Sequence, residues 1–468
     1  MQTERCVGYS IVRSPPCASR VGKETHSPCI ASHGTTRARR LPQPARRRKR
    51  PGAAIGPRWR VCAAWGRGWI AGAADTDPTT VATLAVIGAT TTYGRAWLIV
   101  LIIPMLSVVQ VVSASVGVVC KTGLEDAIRA RFGRLWATVT LLLILAVNVL
   151  TLAADLEGGC AALQLLTGIP YQWFLVPLAV AVGALLIWGN YSIVERVLRY
   201  VLLVFLGYVA AAFLSRPDWG AVLSHTFIPH LEASPVYITG ALALLGTTLT
   251  SYAYVWETIQ QGAERPGIGR AGIGRAGIGR LGLAQLDTVA GAVAAGLLFW
   301  FILISTGATL GVHHEAVHTA EDAAHALAPL AGQYASTLFG LGLLASALLA
   351  LPVLTATSAF VMAEAFGWRR SLDVGFSRAP RFYVALVLSL AVAVGITLVG
   401  VTPIRLLFLS SLVGGLGTPV TLLFLMLLAR DRRMMGEHRI GGRLATAGWV
   451  VTLIVAAACA LFLWQTFL

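Results

Sequence analysis

Residues 77–80 are aspartate, proline, threonine and threonine, and they lie within the first long apolar stretch of the chain. An ionised carboxylate near the middle of a bilayer costs about 3 kcal/mol or more, so Asp77 is a candidate functional residue. Pro78 lacks a backbone donor and interrupts the helix, and interrupted backbone at membrane depth survives only where it is buried or lines a cavity. A carboxylate, freed carbonyl oxygens and the hydroxyls of Thr79 and Thr80 at one helix break can bind a cation.

The chain consists mostly of apolar segments, and the helix break at Asp77 lies in the first of them. Hydrophobic residues make up 56% of its 468 residues and charged residues only 12%, which excludes an ordinary soluble globular protein. Apolar runs of about 18 residues or more, long enough to cross a bilayer, recur from residue 61 to the C-terminus. We predict an all-α polytopic membrane protein with about eleven transmembrane helices, at 61–90, 96–119, 135–167, 172–190, 197–215, 236–260, 283–311, 333–366, 380–401, 404–430 and 443–467.

Most of the net charge of +16 comes from the first 60 residues. They hold 14 of the 37 Lys and Arg residues and 2 of the 21 Asp and Glu residues, a net charge of +12. With several prolines and no apolar periodicity, residues 1–60 are expected to be a disordered basic extension. Its cluster at 46–50 could contact anionic lipid, and we expect no nucleic-acid partner. Residues 61–468 are expected to form one transmembrane domain.

The arginines between the predicted spans are concentrated in alternate loops. The loops after spans 2, 4, 6, 8 and 10 carry most of them, whereas the loop after span 7 is acidic and rich in histidine. Because loops rich in Lys and Arg stay in the cytoplasm, the N-terminus is expected inside and the C-terminus outside. We expect an integral protein of the plasma (inner) membrane.

A second break is predicted in span 6, where residues 246–252 are rich in glycine and hydroxyl side chains, including Thr247 and Thr250. A separation of five spans is typical of an inverted five-plus-five repeat, in which two discontinuous helices meet at the bilayer midplane and hold the substrate ion. Repeat one would cover about 61–215, repeat two about 236–430, and an extra helix 443–467. The alternative is that these hydroxyls bond to their own helix or join neighbouring helices.

At these breaks the sequence resembles the Nramp family of divalent-metal transporters, which have the LeuT-like fold of inverted five-helix repeats. Residues 77–83 are similar to the family's DPGN-x-A-T motif in helix 1. Segments similar to helices 3, 8 and 10 of the family are 154–156 with 166–170, 340–345 with 360–362, and 409–411 with Pro419 behind it. The resemblance covers roughly residues 52–468.

The resemblance implies a role for five residues at the two breaks and in span 10. Asp77 would be the metal-binding aspartate, and the hydroxyl of Thr80 would replace the family's asparagine as an oxygen ligand. Thr247 would present its backbone carbonyl to the ion, Thr250 stands at the family's methionine, and Ser411 stands at a glutamine of helix 10. The metal would be the transported substrate, and no cofactor is expected.

The loss of the methionine changes the metals that we expect. A thioether favours transition metals, whereas carboxylate, hydroxyl, carbonyl and water oxygens suit magnesium, calcium and manganese. Magnesium also keeps several of its waters and needs only one or two carboxylates. The pattern is similar to the divergent Nramp-related branch that includes magnesium transporters. We therefore expect manganese or magnesium equally, and iron less.

Proton coupling is expected to differ from that of the family. Tyr252 replaces the family's helix-6 histidine, and a phenol does not titrate near neutral pH. Asp155 in span 3 remains as a candidate proton carrier, with Glu157 nearby on a different helix face. Asp75 and Glu257, close to the two breaks, are further candidates for the proton path or for a place beside the ion. Each of these acids could also be a paired structural charge.

Two motifs in loops are not assigned to the ion site. Residues 314–318 match the zinc-protease pattern HExxH, but a protease also needs a structured helix, a third ligand and a pocket, and no soluble domain remains to supply them. Incidental use is favoured over loose capture of metal before transport. Glycine-rich repeats at 267–270, 272–275 and 277–280 predict a flexible cytoplasmic linker.

We therefore expect a secondary transporter, not an enzyme, that moves divalent cations across the membrane by alternating access, with proton symport left open. An amino-acid or other organic-solute carrier of the same fold is an alternative, but Asp77 would repel a substrate carboxylate. A membrane-bound metal sensor that keeps the site without the transport cycle is a second alternative. The expected partners are the divalent cation and the lipid bilayer, and protons are a further candidate.

Overall fold

The chain is helical through most of the part that the computed structural model describes. The described residues are 76–188, 206–232, 234–262, 276–312, 317, 319–324, 332, 335–370 and 376–467, and they contain no β-strand. The basic extension 1–60, Asp75, the first two glycine-rich repeats and the HExxH motif apart from Val317 lie outside these ranges.

The longer helices follow one another with short connections. In chain order they are α1 (Pro78–Thr91), α2 (Ala96–Cys120), α3 (Leu124–Phe132), α4 (Arg134–Thr167), α5 (Leu175–Trp188), α6 (Trp219–Phe227), α7 (Pro235–Thr248), α8 (Ser251–Gly262), α9 (Ala276–Thr306), α10 (Ala335–Phe366), α11 (Pro380–Thr397), α12 (Pro403–Arg430) and α13 (Gly442–Phe467). A further helical stretch covers 206–214. Shorter helical turns are Tyr171–Phe174, Gly307–Gly311, Ala320–Ala324, Arg432–Met435 and Gly436–His438.

Within the described ranges, nine helical stretches are long and apolar enough to cross a bilayer. They agree with nine of the eleven predicted spans, and α7 and α8 together form one of them. The other two predicted spans, 61–90 and 197–215, are described only from residues 76 and 206 onward. The prediction of an all-α polytopic membrane protein is confirmed.

The third glycine-rich repeat, 277–280, lies in the first turns of α9. The expectation of a flexible linker is therefore wrong for this part of the loop. Extending an existing helix costs far less than starting one, so the long apolar run of α9 can carry these glycines into its first turns.

The backbone leaves the helical conformation at both predicted breaks. Asp77 has φ −78° and ψ 166° and precedes α1, whose first residue is Pro78. Proline suits this position because its fixed φ is helical and its missing N–H would have had no partner there. In the second break, α7 ends at Thr248, Leu249 has φ −107° and ψ 34°, and α8 begins two residues later.

The helices that carry the breaks are enclosed by the others. The helix α4 packs along α10, α2 packs against α8 and α9, and α12 crosses both α7 and α4. Many buried hydroxyls bond to a carbonyl of the preceding turn, as Thr355 does to Leu351 at 2.6 Å and Ser389 does to Ala385 at 2.9 Å. These bonds keep polar side chains satisfied in an apolar interior without burying charge.

The crossing of α7 and α12 is made by glycines. A Cβ atom on Gly246 would overlap the Ser411 carbonyl oxygen and lie 2.6 Å from the Cα of Gly415. A Cβ atom on Gly415 would lie 2.7 Å from the carbonyl oxygen of Leu242. The two helix backbones are therefore in direct contact, two residues before the end of α7.

Candidate functional site

Asp77 is the N-cap of α1, and both of its carboxylate oxygens accept hydrogen bonds. Oδ1 accepts from the backbone N–H of Thr80 at 2.7 Å. Oδ2 accepts from the hydroxyl of Tyr252, in the first turn of α8, at 2.8 Å. The side chain is only 1% exposed, so a negative group lies in the interior between the two helix breaks.

Thr80 and Thr247 connect the two breaks directly. Their hydroxyl oxygens lie 2.8 Å apart, although 167 residues separate them in the chain. The neighbouring Thr248 bonds to Leu244 of its own helix at 2.7 Å, as the alternative interpretation of this span expected. That alternative fails for Thr247, whose hydroxyl reaches across to α1.

The ends of α1 and α7 create opposite electrostatic environments at this place. The N-terminus of a helix carries about +0.5 of an elementary charge, which stabilises the carboxylate of Asp77, and the C-terminus carries about −0.5. The carbonyl of Leu245 accepts from the Leu249 N–H and the Thr248 hydroxyl, whereas the later carbonyls of α7, including that of Thr247, lie beyond the last backbone donor of the helix. A cation beside Thr247 would meet both these oxygens and the carboxylate.

Thr250 and Ser411 occupy different positions around this centre. Thr250 lies in the second break, is 2% exposed and directs its methyl group towards Gly414 of α12. Ser411 bonds to Thr83 at 2.7 Å and to the carbonyl of Leu407 at 3.0 Å. The structure therefore brings Ser411 to α1 one turn beyond Thr80, and its described hydrogen bonds do not include Asp77.

Asp155 lies on the other side of the start of α1. Its Oδ1 accepts from the backbone N–H of Thr79 at 3.1 Å and also from the Thr79 hydroxyl. Its Oδ2 has no hydrogen-bond partner in the described part of the chain, and the residue is fully buried. Thr79 thus links this second carboxylate to the Asp77 break, a role that the sequence did not indicate.

Two of the remaining candidate acids, Glu157 and Glu257, have their described neighbours away from the Asp77 break. Gly158, not Glu157, faces Pro78, because a Cβ atom on that glycine would lie 3.2 Å from the Pro78 Cβ. Glu157 is fully buried elsewhere on α4, with Tyr171 as a neighbour. Glu257 lies in the middle of α8 and accepts from the Gln261 amide at 3.0 Å.

Two hydroxyls that sequence analysis missed satisfy backbone carbonyls at the breaks. Ser346 of α10 donates to the carbonyl of Thr76 at 2.5 Å. Thr418 of α12 donates to the carbonyl of Leu249 at 3.0 Å. No sequence signal separates these two residues from the many other hydroxyl residues in the spans, because their role depends on how the helices are rotated.

The donor set of the site is made of oxygen alone. Within the described ranges, no group of three or more His, Cys, Asp and Glu residues could hold a metal ion. The groups that meet at the two breaks are the Asp77 carboxylate, the hydroxyls of Thr80 and Thr247, and the carbonyls at the end of α7. Such hard ligands suit a cation that keeps part of its water shell.

A buried carboxylate between two discontinuous helices, within a bundle of membrane spans, defines a membrane transporter of the inverted-repeat class. The sequence matches the family model described as Nramp, natural resistance-associated macrophage protein-like, over residues 68–465. The chain therefore belongs to the Nramp family. This confirms the resemblance and the expectation that the protein is an integral membrane transporter and not an enzyme.

Relatives of similar length are known in several bacteria. A protein of Deinococcus radiodurans called divalent metal cation transporter MntH is 28% identical over 413 residues, covering 85% of this chain and 88% of the relative. A protein of the same name from Mycobacterium tuberculosis is 28% identical over 414 residues, covering 86% and 91%.

Solved structures show the same fold. The crystal structure of the Eremococcus coleocola manganese transporter, bound to an aromatic bis-isothiourea compound, has a TM-score of 0.69 at 19% identity and covers 87% of each chain. The inward-facing structure of Mhp1 has a TM-score of 0.54 at 14% identity, covering 86% of this chain and 90% of that one. The predicted LeuT-like fold is confirmed by these neighbours.

Proposed function

We propose that the protein is a secondary transporter of divalent metal cations, which bind between Asp77 and the second helix break. The observation that carries this proposal is the buried Asp77 carboxylate at the start of α1, joined to α8 through Tyr252, one turn from the bond between Thr80 and Thr247 at the end of α7. Burying a carboxylate is costly, so a site of this kind is kept for a charged substrate. The printed names of the relatives, divalent metal cation transporters, support the same substrate class.

The burial of the site favours alternating access. Asp77, Thr80, Thr247 and Thr250 are each at most 2% exposed, so an ion held among them would be enclosed on both sides. An ion could enter or leave only if the helices around it moved. The half-helices α1, α7 and α8 are the natural moving parts, because each ends at the ion and can tilt without breaking its own hydrogen bonds.

We propose manganese or magnesium as the substrate, in preference to iron. The ligands proposed here are all oxygen atoms, and Thr250 supplies a hydroxyl where the family has a thioether. Loss of a soft ligand weakens discrimination against hard cations. An ion bound by both Thr80 and Thr247 would replace the bond between their hydroxyls, so neither oxygen would be left unpaired.

We propose Asp155 as the group that would carry a proton if transport is proton-coupled. It is buried, it accepts a hydrogen bond from Thr79, the residue after Pro78, and one of its oxygens has no hydrogen bond within the described ranges. Tyr252 serves as a hydrogen-bond donor to Asp77. Glu157, Glu257 and Asp75 remain weaker candidates.

We also propose the orientation of the helices in the membrane from the distribution of arginines among the loops. The cytoplasmic side would hold α3 and the start of α11, and the other side would hold the α1–α2 turn and the start of α7. The proposed location is the plasma (inner) membrane, with the N-terminus inside and inward transport. The proposed domain limits are those expected from the sequence, with residues 61–468 as the transporter.

The test is metal flux into proteoliposomes that contain purified protein, with Mn²⁺, Mg²⁺ and Fe²⁺ compared with and without a pH gradient. We expect Asp77→Asn to abolish flux while the protein still inserts. Asp218→Asn is the matched control, because Asp218 is an exposed N-cap of α6 and asparagine caps equally well. Metal-specific flux that survives in Asp77→Asn would overturn the site.

The alternative functions give different results in the same assay. An organic-solute carrier would show no flux of any metal, and its solute flux would tolerate the loss of the Asp77 charge. A metal sensor would bind the ion with a dependence on Asp77 but would move none of it. For Asp155, Asp155→Asn should remove the response to the pH gradient and leave metal flux measurable.

A further inference from the structure

Arg95 is a fully buried arginine in the turn between α1 and α2. Only 1% of it is exposed, and its Nη2 donates to the carbonyl of Val236, in the first turn of α7, at 2.8 Å. The guanidinium carbon lies 5.0 Å from the centre of the Tyr237 ring, which is a cation–π contact. Arg95 therefore fastens the end of α1 to the beginning of α7.

This contact lies at the opposite end of the two helices from the proposed ion site. Thr80 near the start of α1 meets Thr247 near the end of α7, whereas Arg95 beyond the end of α1 meets Val236 at the start of α7. The two half-helices are therefore antiparallel and joined at both ends. By the arginine distribution, the Arg95 end faces the outside.

A cavity of about 290 Å³ lies beside this contact. Its walls come from α1, α7, α12 and Arg95 itself, and they include Val86, Thr90, Gly240 and Phe408. The bond between Thr83 of α1 and Ser411 of α12 lies between this cavity and Thr80. A cation that moved from this cavity along α1 towards Thr80 would therefore have to pass the Thr83–Ser411 bond.

The local structure is built to hold this arginine. A Cβ atom on Gly240 would lie 2.8 Å from Cζ and Nη1 of Arg95, so the guanidinium packs directly against the α7 backbone and would have to shift if residue 240 had a side chain. The neighbouring Trp97 donates to the Tyr237 hydroxyl at 3.0 Å, and that hydroxyl donates to the carbonyl of His230 at 2.7 Å. These bonds fix the ring on which the guanidinium rests.

The charge of Arg95 acts on any cation in the cavity. Within the described ranges Arg95 forms no ion pair, and its Nε has no hydrogen-bond partner. Burial lowers its pKa, while Tyr237 and Glu232 raise it, and an arginine remains protonated at neutral pH in any case. A fixed positive charge beside the route of a cation repels that cation. The guanidinium of Arg95 would therefore have to move aside before a cation could pass.

We propose that Arg95 is the outer gate of the transport path, which closes the path by holding α7 against the α1–α2 turn. Opening to the outside would require the guanidinium to leave Val236 and Tyr237. The gate rests on the proposed function, because a path to the Asp77 site gives it its purpose. The closed contact itself is a property of the fold and can be tested without any ion.

The test uses Thr83→Cys as a reporter below the gate. Thr83 is fully buried between the cavity and the ion site. A membrane-impermeant thiol reagent is added to the outside of oriented proteoliposomes, and the labelling of native cysteines in the parent is subtracted. We expect Arg95→Gln to speed labelling about tenfold or more, because a charged hydrogen bond and a cation–π contact are lost. Arg95→Lys, which keeps the charge without the planar fork, should give an intermediate rate.

Two further variants keep the result interpretable. Arg405→Gln removes an exposed arginine from the first turn of α12, so it should leave labelling unchanged. Gly240→Ala displaces the guanidinium without altering any charge, so it should speed labelling even if Arg95→Gln folds poorly. Labelling that stays at the parent rate in both Arg95→Gln and Gly240→Ala would overturn the gate.

The outcome separates the gate from the transport function. Faster labelling without metal flux in the parent protein would support the gate and contradict the proposed substrate. Asp77-dependent flux with unchanged labelling in the Arg95 and Gly240 variants would support the substrate and overturn the gate.

Discussion

The hydroxyl of Tyr252 donates to Oδ2 of Asp77 at 2.8 Å and so ties the start of α8 to the start of α1. The other oxygen of Asp77 is held by the backbone of its own helix at Thr80. The carboxylate therefore has a fixed orientation that depends on both helix breaks. Any movement of α8 would act first on the carboxylate that we propose as the charged ligand of the ion.

Tyr252→Phe is predicted to lower the kcat/KM of metal flux about tenfold or more, since a hydrogen bond to a charged group is lost. The matched control is Tyr254→Phe, two residues further along α8, where the hydroxyl bonds to Thr421 and not to Asp77. That control should leave flux unchanged. Equal losses in the two variants would show that Tyr252 acts through packing alone.

Thr80 and Thr247 are predicted to act as a pair in ion binding. Thr80→Val and Thr247→Val keep the shape of the side chain and remove the hydroxyl, and each should lower the kcat/KM of flux. Because the two hydroxyls contact each other, a double-mutant cycle should give a coupling energy of about 1 kcal/mol. Thr138→Val is the control, because Thr138 is exposed and bonds to Arg134 of its own helix. Strictly additive effects would contradict a shared site.

Thr250→Met is predicted to shift selectivity towards transition metals. The variant adds a thioether in the second break, where the side chain of residue 250 faces Gly414, which has no side chain of its own. The ratio of Mn²⁺ to Mg²⁺ flux should rise roughly fivefold, about 1 kcal/mol of differential binding. The control is Leu249→Met, which places a thioether sulfur one residue away and replaces leucine with a side chain of similar volume. It should not change the ratio of Mn²⁺ to Mg²⁺ flux. A fall in the ratio for Thr250→Met would place Thr250 outside the ion's ligands.

Glu125, at the start of α3 and outside the membrane spans, is predicted to make stability depend on pH. Burial raises its pKa from 4.5 to about 8, the Thr140 hydroxyl lowers it somewhat, and the carboxylates of Glu364 and Asp126 raise it further. Between these two pH values the unfolded chain releases a proton that the folded protein keeps. The free energy of unfolding should therefore fall by up to about 1.4 kcal/mol for each pH unit in that window and not change further above it.

Glu125→Gln should remove this dependence, and the difference from the parent should be largest at pH 8 and above. The measurement is the thermal unfolding temperature in detergent from pH 5 to pH 9. The exposed Glu437→Gln is the control and should follow the parent curve. A parent curve that rises between pH 5 and pH 8 would contradict the assigned environment of Glu125.

The spans and Asp77 could be predicted because their signals are local. The length of an apolar run is enough to identify a membrane span. An acidic residue followed by proline inside such a run has few structural explanations. The pairing of hydroxyls could not be predicted, because Thr247 and Thr248 are identical in sequence terms and differ only in the direction that each faces on α7. The rotation of α7 sends one to Thr80 and the other to its own helix.

The same limit explains what sequence analysis missed around the site. Thr79, Ser346 and Thr418 receive their roles from the crossing of distant helices. Ser411 was placed beside the ion by resemblance, whereas the structure pairs it with Thr83. Such contacts depend on helix rotation and height, which neither composition nor spacing encodes.

The glycine contact between α7 and α12 gives α7 the mechanics of a lever. Gly246 lies near the inner end of the helix, and Val236 is ten residues, or about 15 Å, along the arm. A rotation of about 10° around that glycine would displace the outer end by about 2.6 Å and Thr247 by only a few tenths of an ångström. Such a fulcrum would let the entrance swing open while the ion keeps its oxygen ligands.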